Sequence, residues 1–374
     1  MTQPTRMLII SFSKIATDPR VLKQVSYFAD RYEVTTCGFG PAPEGVAEHI
    51  ELPLTHTNKL DGRLITSRIY RLALWAQRGM RKARELLKGR EFDIALANDF
   101  EAVPVALGTR PRFGVHADMH EYFPRWREEQ DAWRRRIGPY YLSLCKRYLP
   151  RCRSLSTVSG GLAREYQRIT GMDVEVVTNA TPYYDLEPGT VGERIRLVHS
   201  GVSLRRRHLE LTIEAAGRAS DVVELDMYLM KSDPTHLAEL EELAAATSNV
   251  RILDPVPYAE LVETLNRYDA GIFVVPPVTF NLEWTLPNKF FDFVQARLGI
   301  VTGPSPEMAE LTRTHGLGVV TGGFAVDDIE ATLAGLDRDE VARFKAASHA
   351  VAQDLAAEAE VEKWGAAIEK LLAG

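Results

Sequence analysis

The octapeptide Thr285-Leu-Pro-Asn-Lys-Phe-Phe-Asp292 sets a cation and a carboxylate one helical turn apart, just after a strand and a loop. The strand is the apolar run Ala270-Gly-Ile-Phe-Val-Val275, the loop holds Pro276-Pro277, and the helix reads Lys289-Phe-Phe-Asp-Phe-Val-Gln-Ala-Arg297. At such a junction unpaired backbone N–H groups converge with the positive end of the helix dipole, which makes an anion site. Lys289 adds charge there, and Asp292 can accept hydrogen bonds from sugar hydroxyls. A nucleoside diphosphate sugar offers both groups. A solvated helix start with an acid in its first turn would read the same way, so the rest of the chain must decide.

The elements that would position these residues alternate strand and helix throughout, as in doubly wound α/β domains. Strand-like runs occur at 7–12, 32–37, 94–97, 113–117 and 154–158 in the first half. In the second half they occur at 195–199, 224–229, 250–253, 271–275, 300–302 and 318–320. Asp18-Pro19-Arg20 starts a helix with Asp18 as N-cap and Pro19 in the first turn. A long helix is expected over 63–88, others over 207–218, 235–246, 258–267, 288–297 and 306–314, and a helical stretch over 338–373. The turn after the first strand, Ser11-Phe-Ser-Lys-Ile-Ala-Thr-Asp18, has no glycine, which argues against a nicotinamide-binding domain.

Leu286-Pro-Asn-Lys-x-Phe-Asp292, followed by Ala296-x-x-Gly299 and Ile300-Val-Thr302, resembles the donor motif of glycosyltransferases of the GT-B fold, close to glycosyltransferase family 4. The resemblance implies two Rossmann-like doubly wound domains facing each other across a cleft. It implies an acceptor-binding domain over 1–185, a nucleotide-sugar-binding domain over 186–345, and a C-terminal helix over 346–374 that crosses back to the first domain. It also implies that Leu286, Pro287, Asn288 and Lys289 hold the donor diphosphate and that Asp292 holds the ribose. Many members carry a Glu eight positions before that acid; here the position is Trp284, with Glu283 beside it.

Ligands of open α/β sheets sit at the carboxyl ends of the strands. Asn98-Asp99-Phe-Glu101 follows one strand, and Asp118-Met-His120-Glu121 follows the next. An imidazole between carboxylates suits binding and activating an acceptor hydroxyl, so His120, Asp118 and Asp99 are the candidate catalytic residues. Both acids also fit simple helix caps. The Asp118-x-His120-Glu121 string is similar to the family's acceptor-domain motif, and Asn98-Asp99 matches a family loop as well. In the second half Gly201 ends a strand, where a glycine lets a ligand approach the backbone, and Arg205-Arg206-Arg207 follows. Of the three, Arg207 best matches the family's basic position against a diphosphate; a solvated helix start explains the run equally, and Lys231 is a weaker cation candidate. Arg20 reaches a site or makes a surface ion pair. Ser159-Gly160-Gly161 and Asn179 also match the pattern and read as structural.

At 374 residues, 45% hydrophobic and 26% charged, the chain is of globular composition and long enough for two domains. Three cysteines without metal-like spacing, no leader-like start and no span-length apolar run lead us to expect a cytoplasmic protein. The net charge of −6 is unevenly spread: residues 63–90 carry +8 and 125–153 carry +6, leaving −20 to the remainder. On a helical wheel Ile65, Ile69, Leu72, Ala76, Met80, Ala83 and Leu87 form an apolar stripe flanked by Arg68, Arg71, Trp75, Arg78 and Lys82. That face fits an anionic membrane surface, with the protein peripheral at its inner side. A solvated basic surface, or one that steers an anionic acceptor, fits too. Nucleic acid is not expected, because no recognisable module is present.

The sequence therefore points to a metal-independent glycosyltransferase with no bound cofactor, and the resemblance to family 4 implies that it retains anomeric configuration. Its co-substrate would be a UDP-, GDP- or TDP-linked sugar, and its acceptor a glycan, a lipid-linked sugar or a small molecule. A nucleotide-sugar epimerase of similar architecture and a catalytically silent scaffold remain alternatives.

Overall fold

The computed structural model describes residues 4–374. The chain divides into two compact units. The first runs through Thr178 and adds Thr279–Asn281 and Glu360–Gly374; the second comprises Asn179–Val278 and Leu282–Ala359.

The first unit is built on seven strands: β1 (Arg6–Lys14), β2 (Glu33–Phe39), β3 (Glu48–Leu52), β4 (Ile94–Asn98), β5 (Gly114–Met119), β6 (Ser154–Thr157) and β7 (Glu175–Val176). They pair in parallel in the order β3-β2-β1-β4-β5-β6-β7. Strand order reverses between β1 and β4, where the connecting helices switch faces and leave a crevice at the carboxyl ends. Asp18 caps the helix Pro19–Ala29 as expected, accepting from the N–H groups of Arg20 and Val21. That helix lays Val21, Val25 and Phe28 on Met7, Ile9 and Leu96, and the C-terminal helix adds Trp364 and Ile368 to the same core. The chain's last fifteen residues thus complete the first unit's core.

The second unit has six strands: β8 (Ile195–Val202), β9 (Val223–Met230), β10 (Val250–Leu253), β11 (Ala270–Phe273), β12 (Gly299–Thr302) and β13 (Gly318–Val320). They are parallel, in the order β10-β9-β8-β11-β12-β13, with the reversal between β8 and β11. Successive residues serve two separate cores. Leu197, Ile272 and Val301 join one, while Val198, Phe273 and Ile300 join the other with Phe290, Phe291 and Phe293. A sheet covered on both faces needs apolar side chains at every position, which is why these strands read as continuous apolar runs.

Two expectations fail in informative ways. The segment expected as one helix over 63–88 is three short ones, Gly62–Thr66, Tyr70–Ala76 and Arg78–Leu86. Arg68 sits at φ 58°, a left-handed turn that resets the helical phase. Ile65, Met80, Ala83 and Leu87 are buried as the wheel requires, but Ile69 and Leu72 are 50% and 55% exposed, and Ala73 and Leu74 pack inward instead. The stretch expected as one run over 338–373 is two helices, Arg338–Val351 and Ala357–Leu372. Strand β3 and the helix Val326–Ala334 were not anticipated. The three cysteines are buried free thiols. Among the described residues, no helix is long and apolar enough to cross a membrane.

Candidate functional site

The second unit gathers its cations at the β8/β11 reversal. Strand β8 carries Gly201 as its last residue but one, and the helix Asn288–Gln295 begins beside it, with Pro287 as N-cap and no capping side chain among the described residues. Phe290 N–H donates to the Pro287 carbonyl at 3.0 Å, which leaves those of Asn288 and Lys289 to meet an anion. Lys289 lies across Gly201: a methyl group added to that glycine would stand 2.6 Å from Lys289 Cε and 3.4 Å from its Nζ. The glycine is needed for that approach. Burial, helped by the nearby Arg207, pulls the Lys289 ammonium down to about 8, against the pull of Asp292. An anion bound at Lys289 would relieve the repulsion from Arg207.

Arg205 and Arg207 of the arginine run have different partners. Arg205 donates to Glu239 at 2.6 Å on the exposed side. Arg207 instead places its guanidinium 5.6 Å over the ring of Phe273. The His199 ring also lies nearly parallel to that of Phe273, with centroids 5.9 Å apart at 4°. His199 Nδ1 lies 3.0 Å from the Ile272 carbonyl oxygen, which can only accept, so Nδ1 carries the proton. Burial first, then the charges of Lys289 and Arg207, lower its pKa to about 3 despite that bond, so His199 is neutral. Sequence reading passed over His199 and Phe273. The first was signalled by its place at a strand's carboxyl end; the second is hidden in an apolar run.

Asp292 is buried, and its Oδ1 accepts from the Thr181 hydroxyl at 2.5 Å. Its charge is also felt by Lys289, which joins it electrostatically to the cation cluster. Leu286 packs in the core with Phe290 and Phe291, so its side chain is structural. Lys231 is exposed and pairs with Asp254 at 3.3 Å.

In the first unit Asp118 is fully buried. Arg20 holds it as a fork, Nε to Oδ2 and Nη2 to Oδ1, both at 2.7 Å. Gln24 donates at 2.9 Å and Ser156 at 2.6 Å. Burial alone would raise this carboxyl, but Arg20 and His120 hold it well below the usual range. With its lone pairs taken by protein donors, Asp118 positions its neighbours. Arg20 makes this buried pair and not a surface one, and its guanidinium also lies 4.7 Å from the Trp364 ring centroid.

His120 sits among acceptors. Its Nε2 is 3.2 Å from Asn98 Oδ1 and 3.3 Å from Asp118 Oδ2, while Nδ1 is 3.3 Å from Asp99 Oδ2. Both nitrogens thus face oxygens that only accept, which favours the imidazolium. Burial opposes that charge, yet Asp99 and Asp118 prevail and raise the pKa. Asp99 receives the His120 backbone N–H at 2.9 Å and stands at φ 61°, a left-handed conformation uncommon outside glycine. At 32% exposure against 18% for His120 and 0% for Asp118, Asp99 is the group of the three most open to a ligand. Among the described residues, no three metal-ligating side chains are gathered.

No protein-family model matches the chain, and a search of curated protein sequences finds no match. Solved structures do resemble it. Sucrose-phosphate synthase from Thermosynechococcus elongatus superposes with a TM-score of 0.73 at 12% identity, over 99% of each chain. HepE of Anabaena, in complex with UDP and glucose, gives 0.71 at 12% identity over 98% of this chain and 100% of that one. A glycosyltransferase from Rickettsia africae gives 0.69 at 14% identity over 99% of each. The architecture shared with these proteins, two parallel-sheet α/β domains, is the GT-B fold.

Proposed function

We propose that the protein transfers a sugar from a nucleoside diphosphate sugar to a hydroxyl acceptor, as a member of or close to glycosyltransferase family 4. The observation that carries this is the approach of Lys289 to Gly201, within the field of Arg207, beside a helix start with no side-chain cap at the sheet's reversal. That geometry suits the diphosphate of a UDP-, GDP- or TDP-linked donor, and the UDP complex of HepE is consistent with it. Asp292, with Thr181, would hold the ribose.

In the reaction the bond from the anomeric carbon to the diphosphate oxygen breaks, and its electron pair leaves with that oxygen. Lys289 and Arg207 stabilise the developing charge, so their cations can serve where a metal otherwise would. The acceptor oxygen bonds to the anomeric carbon. His120, its pKa raised by the carboxylates of Asp99 and Asp118, serves as a donor that fixes and polarises Asp99, which orients the acceptor hydroxyl. The acceptor's proton then goes to the departing phosphate oxygen. Attack from the leaving-group side retains anomeric configuration. The test is release of free nucleoside diphosphate from a panel of nucleotide sugars. Release that depends on added acceptor supports transfer; interconversion of the sugar without release supports an epimerase. His120→Gln should lower turnover about 10²-fold or more while thermal stability stays near wild type.

The first unit would also rest on an anionic bilayer, as a peripheral protein of the cytoplasmic leaflet. Support comes from the outward-turned Ile69 and Leu72, set among exposed Arg63, Arg68, Arg71 and Arg78. Each such cation is worth about 1 kcal/mol near an anionic surface, and the two aliphatics can enter its interface. Sedimentation with phosphatidylglycerol vesicles should therefore exceed that with phosphatidylcholine. The double variant Ile69→Ser/Leu72→Ser should bind about 10-fold more weakly; equal binding to both vesicles would count against the bilayer.

A further inference from the structure

The first sheet has a second edge, where its strands begin, and that edge holds a cavity of about 880 Å³. The volume is within the ~300–1,000 Å³ usual for small-molecule sites. It lies away from the crevice at the carboxyl ends, and neither Asp99 nor His120 lines it. Arg112 and Phe113 reach it just before β5, Arg153 just before β6, and Met172 ahead of β7. The helix Ala357–Leu372 adds Lys370 and Leu371.

Arg153 is held there by a device like the one that seats Lys289. Gly114, the first residue of β5, stands at φ 103°, and a methyl group added to it would collide with Arg153 Cγ. The arginine stem therefore lies across a position that only glycine leaves open. Arg112 sets its guanidinium 4.8 Å from the Phe113 ring centroid. Arg112, Arg153 and Lys370 are exposed, and none has an ion-pair partner among the described residues. Lys363, also on the wall, is engaged by Glu360 at 2.8 Å and by the Val176 carbonyl at 3.2 Å. Asp173 and Glu175 stand on the β7 side, which steers an anion towards the arginines. His116 contributes no charge: burial draws its pKa down to about 4, and its ring nitrogens meet Ser154 at 2.7 Å and Ser156 at 2.9 Å. Phe113, Met172 and Leu371 are half-buried and give the cavity an apolar side.

We propose that this cavity binds a single-chain amphiphile with a phosphate head, the phosphate on Arg112 and Arg153 and the hydrocarbon chain along Phe113, Met172 and Leu371. Guanidinium forks match phosphate oxygens in pairs, and three cations without ion pairs suit a doubly charged head better than a carboxylate. The chain in turn takes the apolar side out of water, which an inorganic anion cannot do. The occupant is a single dissolved molecule and not a bilayer, because these apolar residues are recessed, whereas Ile69 and Leu72 turn outward. The inference goes beyond the transferase reading and does not need it.

Calorimetric titration of the full chain with decyl phosphate, kept below its micelle-forming concentration, tests this. Butyl phosphate, decanoate, decanol, decyltrimethylammonium and inorganic phosphate serve as comparisons. Decyl phosphate should bind once per chain, and each comparison at least about 10-fold more weakly, since each lacks part of the charge or of the chain. Arg112→Gln/Arg153→Gln should weaken decyl phosphate about 10-fold or more, with thermal stability near wild type because both side chains are exposed. Ala366→Glu, at an exposed helix position on the cavity wall, adds a repelling charge and carries the same test should the double variant not fold. Ile69→Ser/Leu72→Ser should leave the affinity unchanged, which separates the cavity from the bilayer face. The proposal is overturned by no binding, by a comparison ligand that matches decyl phosphate, or by undiminished binding in the arginine and Ala366 variants. Loss of binding in Ile69→Ser/Leu72→Ser overturns it as well. Nucleoside diphosphate binding reads the donor site separately, so failure here leaves the transferase reading intact.

Discussion

Arg20→Met is expected to destabilise the first unit by about 3–5 kcal/mol, the cost of leaving one partner of a buried ion pair uncompensated. Asp118 is fully buried, and Arg20 supplies two of its shortest bonds. Gln24 and Ser156 donate without charge, and the charge of His120 is shared with Asp99. Chemical denaturation at pH 7 measures the loss, and Arg20→Met/Asp118→Asn should recover part of it by removing the stranded charge. The pH dependence has a definite sign. A carboxyl held below its unfolded value contributes stability that is complete above about pH 3.9 and fades as pH falls through the lower folded value. Without Arg20 the Asp118 carboxyl climbs, so the gap between variant and wild type narrows as pH is lowered. A gap under about 1 kcal/mol at pH 7, typical of a surface pair, would contradict the assignment.

The second large effect is on the donor side. Lys289→Met should weaken nucleoside diphosphate binding about 10- to 100-fold, the range of a hydrogen bond to a charged group. Gly201→Ala should act the same way, because its methyl group would stand 2.6 Å from Lys289 Cε and displace the ammonium. The pH profile adds an independent sign. The ammonium of the unliganded protein titrates at about 8, and only its protonated form attracts a diphosphate. Wild-type affinity should therefore fall as pH rises above about 8, until the higher pKa of the complex is passed. In Lys289→Met that inflection should vanish. Calorimetry between pH 7 and 9 reads both effects.

Both sheets were legible in the chain because buried parallel strands are apolar on both faces, as Ile195–Val202 and Ala270–Phe273 show. Strand β3 escaped because it is an edge strand that exposes Glu48 and Glu51. The break near Arg68 escaped because no glycine or proline announces the left-handed turn. At the candidate sites, residue type at a strand's carboxyl end was the signal that singled out Gly201, Asp99 and His120. What it could not find was pairing across the sequence. Arg20 and Asp118 are 98 residues apart, so nothing local shows that the arginine occupies the acid. Likewise Glu239, far from the arginine run, draws Arg205 away and leaves Arg207 beside Lys289. Leu286 could have been recognised from its type alone as a core residue.

The central claim is that the second unit grips a diphosphate between Lys289, Arg207 and the start of the helix at Asn288. Calorimetric titration of the wild-type protein with UDP, GDP and TDP tests it most directly. The account predicts that one of the three binds with a dissociation constant of roughly 1 µM–1 mM, and that Lys289→Met loses most of that affinity. Absence of binding by all three, or undiminished binding by the variant, would contradict it.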